Sequence, residues 1–117
     1  MLPRAVTLSK AATDKFRMMK GMTGVTPNIL ARMALMLAVE DGTSLKNASV
    51  SDSDGQVLSK DVLFGEYAAA YEAVVLQYIS EVKINKPMQE VIVSLIEAGA
   101  HKMGHVKSLA DLLSLKA

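Results

Sequence analysis

The sequence contains no cysteine, which excludes disulfide frameworks, thiol nucleophiles and cysteine-bound zinc. Long apolar runs are missing too. The longest, residues 33–39, covers seven residues, against the roughly 20 that a membrane-spanning helix needs. No apolar leader opens the chain, so neither a signal peptide nor a membrane span is expected, and the protein reads as cytoplasmic. There is no glycine-rich loop ending in lysine and serine or threonine for nucleotide phosphates, no glycine-serine elbow for acyl transfer, and no internal repeat.

What is present suffices for one domain. Of 117 residues, 50% are hydrophobic and 21% charged, the balance of a chain that buries a single core. The expected fold class is mainly α, a short N-terminal strand followed by helices, in one soluble domain over residues 1–117. Within it, residues 1–40 form a strand-helix-helix unit, 41–60 a polar loop and 61–117 a helical remainder.

The net charge of +1 conceals an uneven distribution. Residues 1–39 hold Arg4, Lys10, Lys15, Arg17, Lys20 and Arg32 against the single acid Asp14. Residues 40–82 carry eight acids against Lys46 and Lys60, and residues 83–117 carry five bases against three acids. A basic opening segment favours an anionic partner, and nucleic acid is the natural one. For any single lysine the alternative is a solvated helix face.

Residues 3–8, PRAVTL, suit an edge strand behind a proline. Ser9 can cap a helix to about Met22, with Ala12, Phe16 and Met19 on its core side and Lys10, Thr13, Asp14, Arg17 and Lys20 on the other. Gly21 and Gly24 supply the freedom to end that helix and turn, through positive φ. Thr26 and Pro27 then cap and open a second helix over 27–40. Its residues 33–39 are apolar on every side, so they must be buried on every side. In a chain this small a second copy is expected to cover part of that surface, which includes Met33, Leu35, Met36 and Leu37. The strand points the same way. With no second strand nearby in sequence, Val6 and Leu8 are expected to face a partner's strand that closes the open hydrogen bonds. A third helix is expected over 65–82, with Tyr67, Tyr71, Val74 and Tyr78 in one core stripe. A fourth begins near Pro87 and buries Val91, Ile92, Leu95 and Ile96, and Ser108 caps a short last helix over 109–115.

Two patterns invite a metal and neither fits. Asp52-Ser-Asp-Gly55 suggests a calcium loop, but with Gly55 as the loop glycine the first and last ligand positions fall on Val50 and Asp61. His101, His105 and Glu97 stand at spacings of four. Lys102 occupies the place of a zinc hydrolase's glutamate, however, and Gly99 and Gly104 argue against an unbroken helix. No metal, cofactor or catalytic constellation is expected, and the chain does not read as an enzyme.

Strand, capped helix, Thr23-Gly24 turn and threonine-capped helix together resemble the ribbon-helix-helix domain. Val6, Leu8, Phe16, Met19, Thr23, Gly24, Thr26, Asn28, Ile29, Arg32 and Ala34 fall where that pattern wants such residues. The resemblance implies an antiparallel ribbon shared by two chains, and a phosphate held at the second helix's N-terminus by Thr26 and Asn28. With Val6 and Leu8 inward, Ala5 and Thr7 turn outward, and neither reads guanine or adenine bidentately. Strong operator specificity is therefore not expected.

Over nearly the whole chain, the opening LSKAATDKFRMMKGMTGVTPNILARMAL, the LFGEY of residues 63–67 and the helical remainder resemble the DndE family of DNA sulfur modification proteins. That resemblance implies a subunit of the DNA phosphorothioation machinery, which replaces a non-bridging phosphate oxygen with sulfur. It also implies partners: an iron-sulfur sulfotransferase-like subunit and an SMC-like ATPase, with sulfur supplied through a cysteine desulfurase. Lacking cysteine, this chain cannot carry the sulfur as a persulfide. The expected function is non-catalytic: double-stranded DNA is held by its backbone without strong sequence preference, and nicked duplex, which bends cheaply, is expected to be held at least as well as intact duplex or in preference to it. The holder is a homo-oligomer, a dimer through the strands and a tetramer through the remaining apolar surface. Lys10, Lys15, Arg17 and Lys20 are the foremost expected phosphate contacts, followed by Lys83 and Lys86, with Arg32 divided between a phosphate and a subunit-interface ion pair. Gly21 and Gly24 serve fold and assembly. The alternatives are a scaffold that docks other modification proteins, and a ribbon-helix-helix transcriptional regulator.

Overall fold

Ser9 stops the first strand and starts the first helix: its backbone is extended and its hydroxyl accepts the Ala12 N–H. A computed structural model describes residues 1–42, 44–45 and 52–115. Strand β1 is Ala5–Thr7, followed by helices α1, Lys10–Thr23, and α2, Pro27–Glu40. Strand β2, Val57–Ser59, leads into a short helix α3, Lys60–Phe64. A 3-10 turn, Gly65–Tyr67, separates α3 from α4, Ala68–Val82, and the chain ends with α5, Met88–Lys102, and α6, Leu109–Leu113.

The strand has its partner within the chain. β1 and β2 pair antiparallel with Val6 opposite Leu58, both buried, and Leu8 N–H to Gln56 O and Lys60 N–H to Arg4 O extend the ladder at its two ends. This corrects the expectation of a ribbon shared by two chains. One edge of β1 is paired by β2 of the same chain, and Val6 and Leu8 point into their own core and not into a partner's. Sequence reading missed β2 because three residues inside a polar stretch carry no usable alternation. Part of that stretch, with the Val50 position of the calcium reading, lies outside the described residues.

The core is built on α2 against α5. Leu30, Ala31, Ala34, Leu35, Leu37 and Ala38 of α2 are buried, as are Val91 to Ile96 of α5. A side chain at Gly99 would place its Cβ 1.8 Å from the Ala34 carbonyl oxygen, so the two backbones touch there. Gly99 is thus a contact residue within α5 and not a helix breaker, but the helix ends at Lys102, before Gly104 and His105, so the three spaced metal-ligand candidates do not share one helix. The apolar run 33–39 is covered mainly from within: Leu35 and Leu37 are buried in their own chain, Met33 is half-buried, and of the four residues of this run expected against a second copy Met36 alone is exposed.

Between α1 and α2 the chain turns through 109°. Gly24 makes the turn, at φ 79° with its N–H on the Lys20 carbonyl. Gly21 lies within α1 and has no positive φ, which corrects half of the paired-glycine expectation. The tyrosine stripe is also revised. The 3-10 turn breaks the expected 65–82 helix at its start, so Tyr67 is 54% exposed and only Tyr78 is buried at the far end. Tyr71 packs on Phe64 with ring centroids 4.9 Å apart.

Candidate nucleic-acid interface

The N-terminus of α1 is fastened by the segment that looked like a calcium loop. Asp52 Oδ1 accepts the N–H of Lys10 and of Asp54, each at 2.9 Å. The Thr13 hydroxyl donates to Ser9 O and accepts the Gln56 N–H, both at 2.8 Å. Thr13 is therefore buried, not on the solvent face as its spacing suggested. Gly55 sits so close that a Cβ there would stand 2.2 Å from the Thr13 hydroxyl oxygen. Asp52 Oδ1 thus fastens the start of a helix and closes an Asx turn by accepting two backbone donors.

This docking builds one wall of a cleft of about 550 Å³. Its other wall is α1, with Lys10, Arg17 and Lys20 along one face and Asp14 on the turn between the first two, and Pro27 opens α2 at the far end. Thr26 is the N-cap of α2 with φ −71° and ψ 153°, but its hydroxyl makes no capping bond. The positive end of the α2 dipole thus lies beside three cations. Asp14 lies among them. Its Oδ2 is 2.8 Å from Lys10 Nζ and its Oδ1 3.9 Å from Arg17 Nη1. The hydrogen bond from Lys10 holds the Asp14 carboxyl below the usual carboxylate range, and the same bond raises Lys10 above the usual lysine value. Both are solvent-exposed, so the pair is a charge-balancing contact and not a stabilising one.

The remaining predicted cations stand elsewhere. Lys15 lies on another face of α1, in a cleft with Glu97 and His101 of α5. Glu97 Oε1 there accepts the Ser9 N–H at 2.9 Å. Asn28 Nδ2 donates to Val62 O at 3.2 Å, and Arg32 Nε donates to Leu63 O. These two side chains, one turn apart on α2, satisfy carbonyls that the five-residue α3 leaves without helical partners. Arg32 therefore holds backbone within its own chain, where sequence reading had offered a phosphate or an interface ion pair. Lys86 Nζ donates to Leu45 O at 3.2 Å, and Lys83 ends α4 at φ 55°. Sequence reasoning thus found three of the cleft's cations and missed its loop wall, Asp54, Gly55 and Gln56. The one available signal was the Asx turn in Asp52-Ser-Asp-Gly55. Among the described residues no three His, Cys, Asp or Glu side chains are grouped so as to hold a metal.

Fold and cleft define a small, mainly helical protein that gathers cations beside a helix N-terminus. The family profile described as DNA sulphur modification protein DndE matches residues 5–111. The crystal structure of DndE from Escherichia coli B7A, involved in DNA phosphorothioation modification, superposes with a TM-score of 0.74 at 32% identity, covering 88% of this chain and 98% of that one. A DndE G21/24K mutant, also described as involved in DNA phosphorothioation, gives 0.71 at 29% identity over 88% and 99%. None of the curated protein sequences matches. The chain belongs to the DndE family of DNA sulphur modification proteins.

Proposed function

We propose that this protein is the DNA-holding subunit of a phosphorothioation system and performs no bond chemistry itself. The observation that carries the reading is the convergence of Lys10, Arg17 and Lys20 with the N-terminus of α2 on one open cleft. Cations and helix N-termini bind phosphate oxygens without reading bases. The geometry argues against the regulator alternative. Thr7, one of the two residues that a reading ribbon would offer to the groove, lines a cleft with Asp52 and Glu90, whose charges repel DNA.

Copies of the chain assemble, as a tetramer in this reading, and so repeat the cleft along one duplex. With Val6 and Leu8 buried in their own core, the apolar surface that supports assembly is at the end of α1, where Met18 is 59% and Met22 38% exposed on either side of the bare Gly21. A binder that selects by deformability holds nicked duplex at least as well as intact duplex, because a nick makes bending cheap.

The test is a salt series of duplex binding for wild type and for Lys10→Ala, Arg17→Ala, Lys20→Ala combined, with oligomer mass measured in parallel. Loss of three phosphate contacts lowers the slope of log affinity against log salt by about 2–3 units. An unchanged slope at unchanged mass removes the cleft as the phosphate surface. Weaker binding of nicked than of intact duplex at matched salt removes the preference.

A further inference from the structure

Helix α4 is the under-covered element of the fold. Of its 15 residues only Val75 and Tyr78 are buried, although apolar residues dominate it: Leu76 is 48% exposed, and Tyr71, Val74, Ile79 and Val82 are half-buried. Between α4 and α2 lies an open trough of about 500 Å³, floored by Met36, Val39, Val74 and Tyr78. Its rim carries Glu40 and Glu81 and, among the described residues, no cation. Glu81 is held in place by Gln77, whose Nε2 donates to Oε1 at 2.8 Å. The trough continues past Met36 into a smaller hollow with Ala70 and Tyr71.

Charge decides among possible occupants. DNA is repelled by a rim of carboxylates with no counter-cation. A second copy placed two-fold on the same face would bring its own Glu40 and Glu81 into an interface that already holds two carboxylates, and like charges at an interface are costly. An apolar floor that follows α4 from Ala70 to Glu81, roughly 17 Å of helix, between acidic edges fits a helix with an apolar stripe and basic flanks. We propose that the α2–α4 trough docks an amphipathic helix of a protein partner, its apolar side chains between Met36 and Val74 and its lysines or arginines on Glu40 and Glu81. The trough and the α1 cleft are lined by different residues and have opposite charge, so the partner and the DNA do not compete for one surface.

The probe is a pair of synthetic helical peptides about 15 residues long, one of leucine and lysine and one of leucine and glutamate with the same apolar stripe. Amide chemical shifts of the full chain map the binding, and titration gives the affinity. The leucine-lysine peptide is expected to shift Met36, Val39, Ala73, Val74 and Gln77. Ala73→Arg, at an exposed trough position, weakens it about tenfold or more. Glu40→Lys with Glu81→Lys, both exposed, reverses the preference toward the leucine-glutamate peptide. Absent or scattered shifts, affinity indifferent to Ala73→Arg, or no reversal of preference overturns the proposal. A change of wild-type oligomer mass on Ala73→Arg, with no peptide present, assigns the trough to a second copy and overturns it equally. DNA binding by the α1 cleft is read separately, so failure here leaves that reading intact.

Discussion

Helices α4 and α5 are each 15 residues long and each apolar on much of their surface, yet eight residues of α5 are buried and two of α4. The difference lies in what each lies against. α5 runs along α2 at backbone contact, made possible by Gly99 over Ala34. α4 is fully buried only at Val75 and Tyr78; Tyr71, Val74, Ile79 and Val82 are half-buried, and Leu76 is left to solvent. One helix holds the fold, and the other presents a surface. Hydrophobicity along the chain does not separate the two roles; the small residue at the crossing point does.

The sharpest way to break this contrast is Gly99→Val. The Ala34 backbone occupies the space that the new side chain needs, and backbone cannot rotate away, so the loss is expected to be at least about 3 kcal/mol, seen as a large fall in denaturation midpoint. A near-wild-type midpoint would show that α2 and α5 can separate at little cost. Next in size is a matched pair of truncations. Leu95→Ala, fully buried on α5, should cost about 2–5 kcal/mol through lost burial and a cavity. Leu76→Ala, on the exposed side of α4, should fall within about 0.5 kcal/mol. Equal losses by chemical denaturation would erase the division between the two helices.

Smaller still is the contrast between Gly24 and Gly21. Alanine at Gly24 must adopt φ near 79° and is expected to cost about 1 kcal/mol. Gly21 is helical, and a methyl group added there would meet nothing within 4 Å, so alanine at this position should gain about 0.5–1 kcal/mol in the isolated fold. Thermal melts read both, and a parallel mass measurement separates folding from assembly: a drop in oligomer size with Gly21→Ala at full stability identifies Gly21 as an interface position.

The elements that could be read from sequence are those whose ends are written in single residues. Ser9, Gly24, Pro27 and Ser108 each mark a boundary because one side chain, or its absence, settles a backbone state. The family was also legible, through continuous matching segments. β2 was not, since its three residues become a strand only when β1 lies beside them. The destination of Arg32 was hidden for the same reason: the carbonyls it holds lie 30 and 31 residues away. On α1, periodicity found Lys10, Arg17 and Lys20, whose common face is a property of the helix alone. It misjudged Thr13, whose burial depends on a loop more than 40 residues downstream.

The subtlest expectation concerns Asp14, which offsets charge in the very cleft where phosphates are proposed to bind. Its pKa is lowered, chiefly by the hydrogen bond from Lys10, so it stays ionised from neutral pH down through the ordinary carboxylate range. The negative charge that Asp14 sets against Lys10 and Arg17 is therefore present above that range and is lost only as pH falls through the lowered value. Acidification from about pH 7 to pH 5 should not relieve the competition, because carboxylates with lowered pKa remain charged there. Asp14→Asn should relieve it at every pH in that window, freeing Lys10 and Arg17 for phosphate and tightening duplex binding about two- to fivefold, with a salt slope steeper by up to about one unit. Weaker binding by Asp14→Asn would mean the opposite arrangement, in which the carboxylate aims the two cations at the duplex and its charge is the smaller effect.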